Sequence, residues 1–180
     1  MQKKILVLVG SPRKNGNTEI LADALIKGAC ESGNLVTTYS VSGKEIKPCI
    51  DCQACYRTKQ CILQDDMNEV YGLLSKTDIL VLASPVYFYG ISAQLKALLD
   101  RLHNPVRNGF PIKAVVLLSV CADNDDTAFI PSIATYKAIA LYLGWEDKGI
   151  ITVSSVENKG DINGRKELDL AYELGKNLNK

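Results

Sequence analysis

The sequence predicts an α/β domain built on a doubly wound parallel sheet. Three observations carry that expectation. Strand-like and helix-like patterns alternate from end to end, the signature of a parallel sheet with helices packed on it. The strand candidates are continuous apolar runs, as burial on both faces demands. The length, 180 residues, suffices for one sizeable core and is short for two, so residues 1–180 are expected to form one domain.

Ile5 to Val9 is the first strand. From Asn17 to about Ser32 the pattern turns helical, with Leu21, Ala24, Leu25 and Gly28 on one face and Gly33 as the stop. Leu35 to Val41 is a second, weaker strand. A cysteine-rich loop, residues 48–64, is inserted between this strand and the second helix. That helix begins at Asp66, with Glu69 in capping-box spacing and Val70, Leu73 and Leu74 as its buried face. Ile79-Leu-Val-Leu-Ala83 is the purest apolar run and is predicted to be a central strand. A loop and then a helix from Ser92 to His103 follow. Ile112 to Val120 is the fourth strand, Asp126 to Leu143 a helix closed by Gly144, Ile150 to Val153 a short fifth strand, and Asn163 to Asn179 the last helix. Five parallel strands joined this way suit the order 2-1-3-4-5 of the flavodoxin-like three-layer αβα sandwich. That order opens a ligand crevice at the carboxyl ends of strands one and three.

Composition narrows the function classes. With 47% apolar and 23% charged residues and a net charge of +1, nothing favours nucleic acid or an acidic membrane surface as a partner. No apolar stretch approaches the roughly 20 residues that span a bilayer. Lys3 and Lys4 precede only a strand-length apolar run, so no secretory signal is read and a cytoplasmic location is expected. Thiols in that compartment stay reduced unless a metal holds them.

The segment Gly10-Ser-Pro-Arg-Lys-Asn-Gly-Asn-Thr18 joins the first strand to the first helix. Backbone amides in such a turn, with the positive end of the helix, suit a dianionic phosphate. Ser11 and Thr18 offer hydroxyl donors, Asn15 and Asn17 amide donors, and Arg13 a charge. The segment is neither G-x-G-x-x-G nor G-x-x-x-x-G-K-[ST], which disfavours a pyrophosphate or triphosphate and leaves a single terminal phosphate. The competing reading is a polar turn in which Asn17 or Thr18 merely caps the helix.

After the third strand comes Ser84-Pro-Val-Tyr-Phe-Tyr-Gly90. Its apolar side chains at a strand's carboxyl end call for a cover, and a flat tricyclic ring would supply one. Pro85 and Gly90 would fix the loop path, whereas Tyr87, Phe88 and Tyr89 would otherwise pack the top of the core or a subunit interface. Paired with the phosphate turn, the segment favours a flavin. Ser119 to Ala122 lies on the same edge, and Ser119 is expected to border the ring. Asp123, Asp125 and Asp126 read as a solvated loop with a helix cap. Lys96 and Arg101 read as surface or interface charges, and His103, the only histidine, as a helix-end residue.

Six cysteines are present, four of them in Cys49-x-x-Cys52-x-x-Cys55-x5-Cys61. Three thiolates spaced by two residues can wrap one corner of a cubane, and a fourth after a short loop can close it. Zinc also takes four cysteines, although usually as two C-x-x-C pairs set further apart. Free thiols serving packing or subunit contact are the third reading, and all three stay open.

Gly10-Ser-Pro-Arg with Gly16-Asn-Thr18, the cysteine segment running into Asp65-Asp66-Met67, and Ser84-Pro-Val-Tyr87 continuing to Leu95-Lys96-Ala97 and Asp100-Arg101 resemble the NADPH-dependent FMN reductase family. Within it they resemble the iron–sulfur flavoproteins most. The likeness covers about the first 105 residues with specific motifs, and beyond them it is one of fold pattern. The resemblance implies bound FMN and a homodimer or dimer of dimers. It implies phosphate contacts at Ser11, Arg13, Asn17 and Thr18, ring contacts at Pro85, Val86, Tyr87, Phe88 and Gly90, and a 4Fe–4S cluster on Cys49, Cys52, Cys55 and Cys61. The activity implied is that of an NAD(P)H-dependent oxidoreductase moving hydride by way of FMN to a flavin, a quinone or a similar small-molecule acceptor. No catalytic acid or base is expected of the protein. The alternative is an electron-transfer protein linking the cluster, FMN and a ferredoxin-like partner. A signalling domain of similar topology is disfavoured, because receiver domains carry acidic residues beside strand one and this chain has Gly10-Ser11 there.

Overall fold

Residue alternation along the strands sorts side chains into two cores, and this decides the architecture. The computed structural model describes all residues from Met1 to Lys180. Its strands are β1 (Lys4–Val9), β2 (Leu35–Ser40), β3 (Ile79–Tyr87), β4 (Gly90–Ile91), β5 (Ala114–Val120) and β6 (Glu146–Val153). Its helices are α1 (Asn17–Glu31), α2 (Ala54–Thr58), α3 (Met67–Leu74), α4 (Ala93–Asp100), α5 (Ile130–Leu143) and α6 (Lys166–Asn177). Ile5, Val7, Val9, Val81, Ala83, Val116 and Leu118 point to one face, where Leu21, Leu25 and Ala29 of α1 and Ala171 of α6 cover them. Leu6, Leu8, Leu80, Leu82, Val115 and Leu117 point to the other, against Met67, Val70 and Leu74 of α3, Leu95 and Leu98 of α4 and Tyr136 of α5.

The sheet order is β2-β1-β3-β5-β6, all neighbours parallel, with β4 paired only to β3. Setting the two-residue β4 aside, this is the expected 2-1-3-4-5 order. The registers align Val9 with Ala83, Ser84 with Ser119 and Val120 with Val153, so the carboxyl ends of four strands share one edge. Helices α1 and α6 are in backbone contact. A Cβ at Gly28 would lie 2.0 Å from the Tyr172 carbonyl oxygen, and one at Gly175 would lie 2.0 Å from that of Leu25. Only glycine lets the two helices approach so closely.

Several local expectations are revised. Strand β6 begins at Glu146, four residues before the apolar stretch, because Glu146 and Asp147 lie exposed on an edge strand where burial does not select apolar residues. A bulge follows: Val115 pairs with Asp147 and Val116 with Gly149, leaving Lys148 as the extra residue. The capping box at Asp66 does not form. Its carboxylate accepts from the Glu45 N–H at 2.7 Å, Glu69 binds Lys44, and Asp65 accepts from the Met67 N–H at 3.1 Å instead. The cysteine segment is not wholly irregular, since it contains the short helix α2. No helix is long and apolar enough to cross a membrane.

Candidate functional site

At the shared strand edge a cleft of about 290 Å³ opens, walled by four chain segments. They are the turn after β1 (Ser11, Arg13, Lys14, Gly16, Asn17, Thr18), the end of β3 (Pro85, Val86, Tyr87), the exit of β5 (Val120, Cys121, Ala122) and the loop after β6 (Val156, Glu157, Lys159). The polar turn and the aromatic strand exit therefore meet over one crevice, where the topological switch between β1 and β3 puts it.

The turn is held from below. Gly10 donates to the Ala83 carbonyl at 2.7 Å, and a Cβ there would strike the Leu95 side chain at 2.7 Å, so only glycine fits between β1 and α4. The buried hydroxyl of Ser92 donates to the Gly10 carbonyl and accepts from the Leu95 N–H, capping α4 and fixing the turn together. The 15-residue helix α1 starts at Gly16 with no side-chain cap, which leaves its first amides facing the cleft without a protein acceptor. Arg13, Lys14 and Lys159 line the site against one carboxylate, Glu157. An uncapped helix start and a cationic surplus fit a phosphate dianion.

The predicted site residues divide by what they do. Arg13 and Thr18 line the cleft as expected, and Thr18 is buried. Ser11 lines it too, but its hydroxyl closes its own turn, donating to the Arg13 carbonyl and accepting from the Arg13 N–H. Asn17 has its amide engaged in a clamp on the loop after β6. It donates to Asn158 O at 2.8 Å and Val156 O at 3.4 Å, and accepts from Gly160 N at 3.0 Å and Ile162 N at 3.4 Å. Asn15 takes a left-handed backbone (φ 51°) and is not among the lining residues, its N–H bound by Glu19.

The segment after the third strand is a hairpin and not a loop. β3 runs on to Tyr87, Val86 pairs with Ile91 and Tyr87 with Gly90, and Phe88 and Tyr89 form the two-residue turn. Both have positive φ, 46° and 64°, as turns of the I′ kind require. The buried Ser84 hydroxyl fastens the hairpin base, donating to Pro85 O at 2.8 Å and accepting from Ser92 N at 3.0 Å. Pro85, Val86 and Tyr87 consequently form an apolar strip along the cleft, while Phe88 is 99% exposed at the tip and neither Phe88 nor Gly90 is among the lining residues. With Val120 and Ala122 opposite, the strip fits the face of a flat ring. Ser119 sits one residue below the lining, fully buried, with a hydroxyl that finds no partner.

Sequence reasoning missed Lys14 and the wall Val156–Lys159. The backbone ties that wall to the β5 exit, with Val156 N bound to Cys121 O at 3.0 Å and Ser155 N to Asp123 O at 2.8 Å. Cys121 is buried against the cleft, and burial, with Asp123 adding to it, pushes its thiol up from the ordinary range.

The four clustered cysteines line a second, smaller pocket with Tyr71, Arg101, His103 and Asn104. All are free thiols; Cys49 and Cys52 are exposed, Cys55 and Cys61 partly so. In kind and in location they fit the soft donor set of an iron–sulfur cluster or zinc. The side chains are not drawn together, for no three His, Cys, Asp or Glu groups converge as a metal-ligand set. Arg101 corrects its expected surface role: it is 2% exposed and forms a buried ion pair with Asp65. Burial works to raise the Asp65 carboxyl, but hydrogen bonds from Lys47 N–H, Arg101 and Met67 N–H outweigh it and hold the group below the usual carboxylate range.

This sheet order, with an uncapped helix after β1 and a cleft at the β1/β3 switch point, defines a flavodoxin-like protein. The family model for NADPH-dependent FMN reductases matches residues 3–130, and the chain belongs to that family of oxidoreductases. An iron–sulfur flavoprotein of Methanocaldococcus jannaschii is 39% identical over 110 residues, covering 61% of this chain and 56% of that one. One from Methanosarcina thermophila is 39% identical over 110 residues, covering 61% and 58%. The chain thus spans about half the length of the iron–sulfur flavoproteins it matches. A Bacillus subtilis protein named as an NAD(P)H-dependent FMN-containing oxidoreductase is 27% identical over 167 residues, 88% of each chain. Among solved structures, an NAD(P)H:quinone oxidoreductase from Methanothermobacter marburgensis superimposes with a TM-score of 0.80 over all of this chain and 98% of that one. At 16% identity, that likeness speaks to the fold alone.

Proposed function

We propose that the chain is an FMN-dependent oxidoreductase that takes reducing equivalents from NAD(P)H and gives them to a small acceptor such as a flavin or a quinone. One observation carries the reading: the uncapped start of α1 and the apolar strip Pro85–Tyr87 wall the same cleft. FMN held there would supply the redox chemistry, for one electron or two. The chain's own residues bind and orient. Arg13, Lys14 and Lys159 attract the phosphate end, and Thr18 with the first amides of α1 receives it. Asn17 holds the fourth wall in place, and Val86 and Tyr87 exclude water from one ring face. The cleft lining contains no histidine, and its single carboxylate, Glu157, is exposed.

A second reading adds a cluster at Cys49, Cys52, Cys55 and Cys61 and makes the chain an iron–sulfur flavoprotein, with a ferredoxin-like partner. The shared pocket of the four thiols and the names of the relatives support the cluster. A cluster would supply single-electron chemistry, and the chain would supply the thiolates. We also propose a homodimer, supported by the exposed Ile130, Leu141 and Tyr142 on α5.

Anaerobic purification with flavin, iron, sulfide and zinc counted together separates these readings. FMN at one per chain with NADPH or NADH oxidation supports the reductase; about four irons per chain adds the cluster. A chain that binds no FMN in a fluorescence titration overturns both. Light scattering gives the oligomeric state.

A further inference from the structure

Arg101 follows α4, the helix whose other end is fixed to the cleft through Ser92 and Gly10. Its side chain is almost wholly buried, and its donors reach both ends of the cysteine loop. One Nη binds Lys47 O at 3.3 Å, before the first cysteine, and Asp65 Oδ2, after the last. The other Nη donates to the Cys61 sulfur at 3.3 Å and to Leu63 O at 3.4 Å. The Nε is sealed from solvent with no acceptor, although Arg101 lines the cysteine pocket. Asp65 completes the closure by accepting from Lys47 N at 2.9 Å. A planar fork with several fixed donors can serve a carboxylate, two carbonyls and a sulfur at once; a lysine ammonium is a single point charge.

We propose that Arg101 is the positioning residue of the cysteine site: it staples the loop from Lys47 to Asp65 closed and places a hydrogen-bond donor on Cys61, the thiol furthest along the motif. This deepens the metal reading of that pocket and rests on it. A donor on a ligand sulfur withdraws charge from the group that the sulfur binds, so it favours the reduced form and raises the reduction potential.

The test reconstitutes the full-length chain anaerobically with iron and sulfide, comparing wild type with R101K and with the double variant D65N/R101Q. R101K keeps the charge beside Asp65 while losing the fork; the double variant removes the pair without stranding a buried carboxylate. FMN affinity, measured at the far end of α4, reports that each variant is folded. The expected result is unchanged FMN affinity, a lower cluster midpoint potential in both variants, and iron affinity reduced on the order of 10-fold or more in the double variant. Wild type that loads, with both variants matching it in iron content and potential, overturns the role of Arg101 alone. Wild type that takes up no iron and sulfide while binding FMN overturns the metal reading and this proposal with it.

Discussion

Replacing Asn17 by alanine removes the clamp between the turn after β1 and the loop after β6. Two of its hydrogen bonds are short, 2.8 and 3.0 Å, and two are long at 3.4 Å. At about 0.5–1.5 kcal/mol for each bond, with the long ones at the low end, N17A costs the apo chain about 2–4 kcal/mol. For a domain of this size that corresponds to a Tm lower by roughly 4–16 °C. Because the freed loop is a wall of the cleft, part of the deficit is repaid on ligand binding, and the FMN Kd should rise at least about 10-fold. N17D makes the test sharper. It keeps an acceptor for the Gly160 and Ile162 amides, but turns a carboxylate oxygen toward the Val156 and Asn158 carbonyls and sets a negative charge at the start of α1 that repels a phosphate. Both variants should therefore be less stable than wild type without ligand, and N17A should be the tighter FMN binder of the two. Thermal denaturation, FMN fluorescence titration and hydrogen exchange at Gly160 and Ile162 measure the three quantities. Unchanged exchange at those amides together with an unchanged FMN Kd in N17A would refute the clamp.

Gly28→Ala should cost about 1–3 kcal/mol or more in urea denaturation, since its Cβ meets helix backbone that cannot swing aside, whereas Gly72→Ala in α3, with open space around it, should stabilise by about 0.5–1 kcal/mol. Equal effects at the two positions would show that α1 and α6 are not in backbone contact. Asp65 is held below its unfolded value of about 3.9, so its contribution to stability is present above that pH and is lost as the pH falls through the folded value. Urea midpoints measured from pH 6 down to pH 2.5 should fall less steeply below about pH 4 in D65N/R101Q than in wild type, and parallel curves would contradict the pairing. In thiol labelling of the chain at mild pH, Cys30, Cys49 and Cys52 should react first and Cys121 last, and added FMN should slow Cys121 further; labelling of Cys121 as fast as that of Cys30 would place it outside the cleft floor.

The parts legible in the sequence are those whose cause is local. Ile79 to Ala83 reads as a central strand because burial on both faces leaves only apolar residues, and the turn from Gly10 to Thr18 reads as an anion site because glycines and small polar groups stand beside a helix start. The roles that are not legible locally act at a distance. Asn17 looks like a phosphate donor or a cap, and only the packing of a loop some 141 residues away shows that its amide is occupied. Arg101 ends a helix like any surface cation until Asp65 and Cys61 are brought to it from 36 and 40 residues away. The hairpin at Phe88 and Tyr89 is not legible in the sequence because bulky residues rarely take positive φ, and turn residues such as Asn-Gly are the usual signal. The wall from Val156 to Lys159 carries no compositional mark at all.

The reach of Asn17 and Gly28 across the chain bears on how the protein is made. The turn after β1 ends at Thr18, yet Asn17 is held by residues 156–162 and Gly28 packs on Tyr172. A nascent chain emerging from the ribosome will have β1, β2, β3 and β5 well before it has the partners of its first helix. The cleft is completed only once residues 156–175 have emerged, so its fourth wall is the last to form.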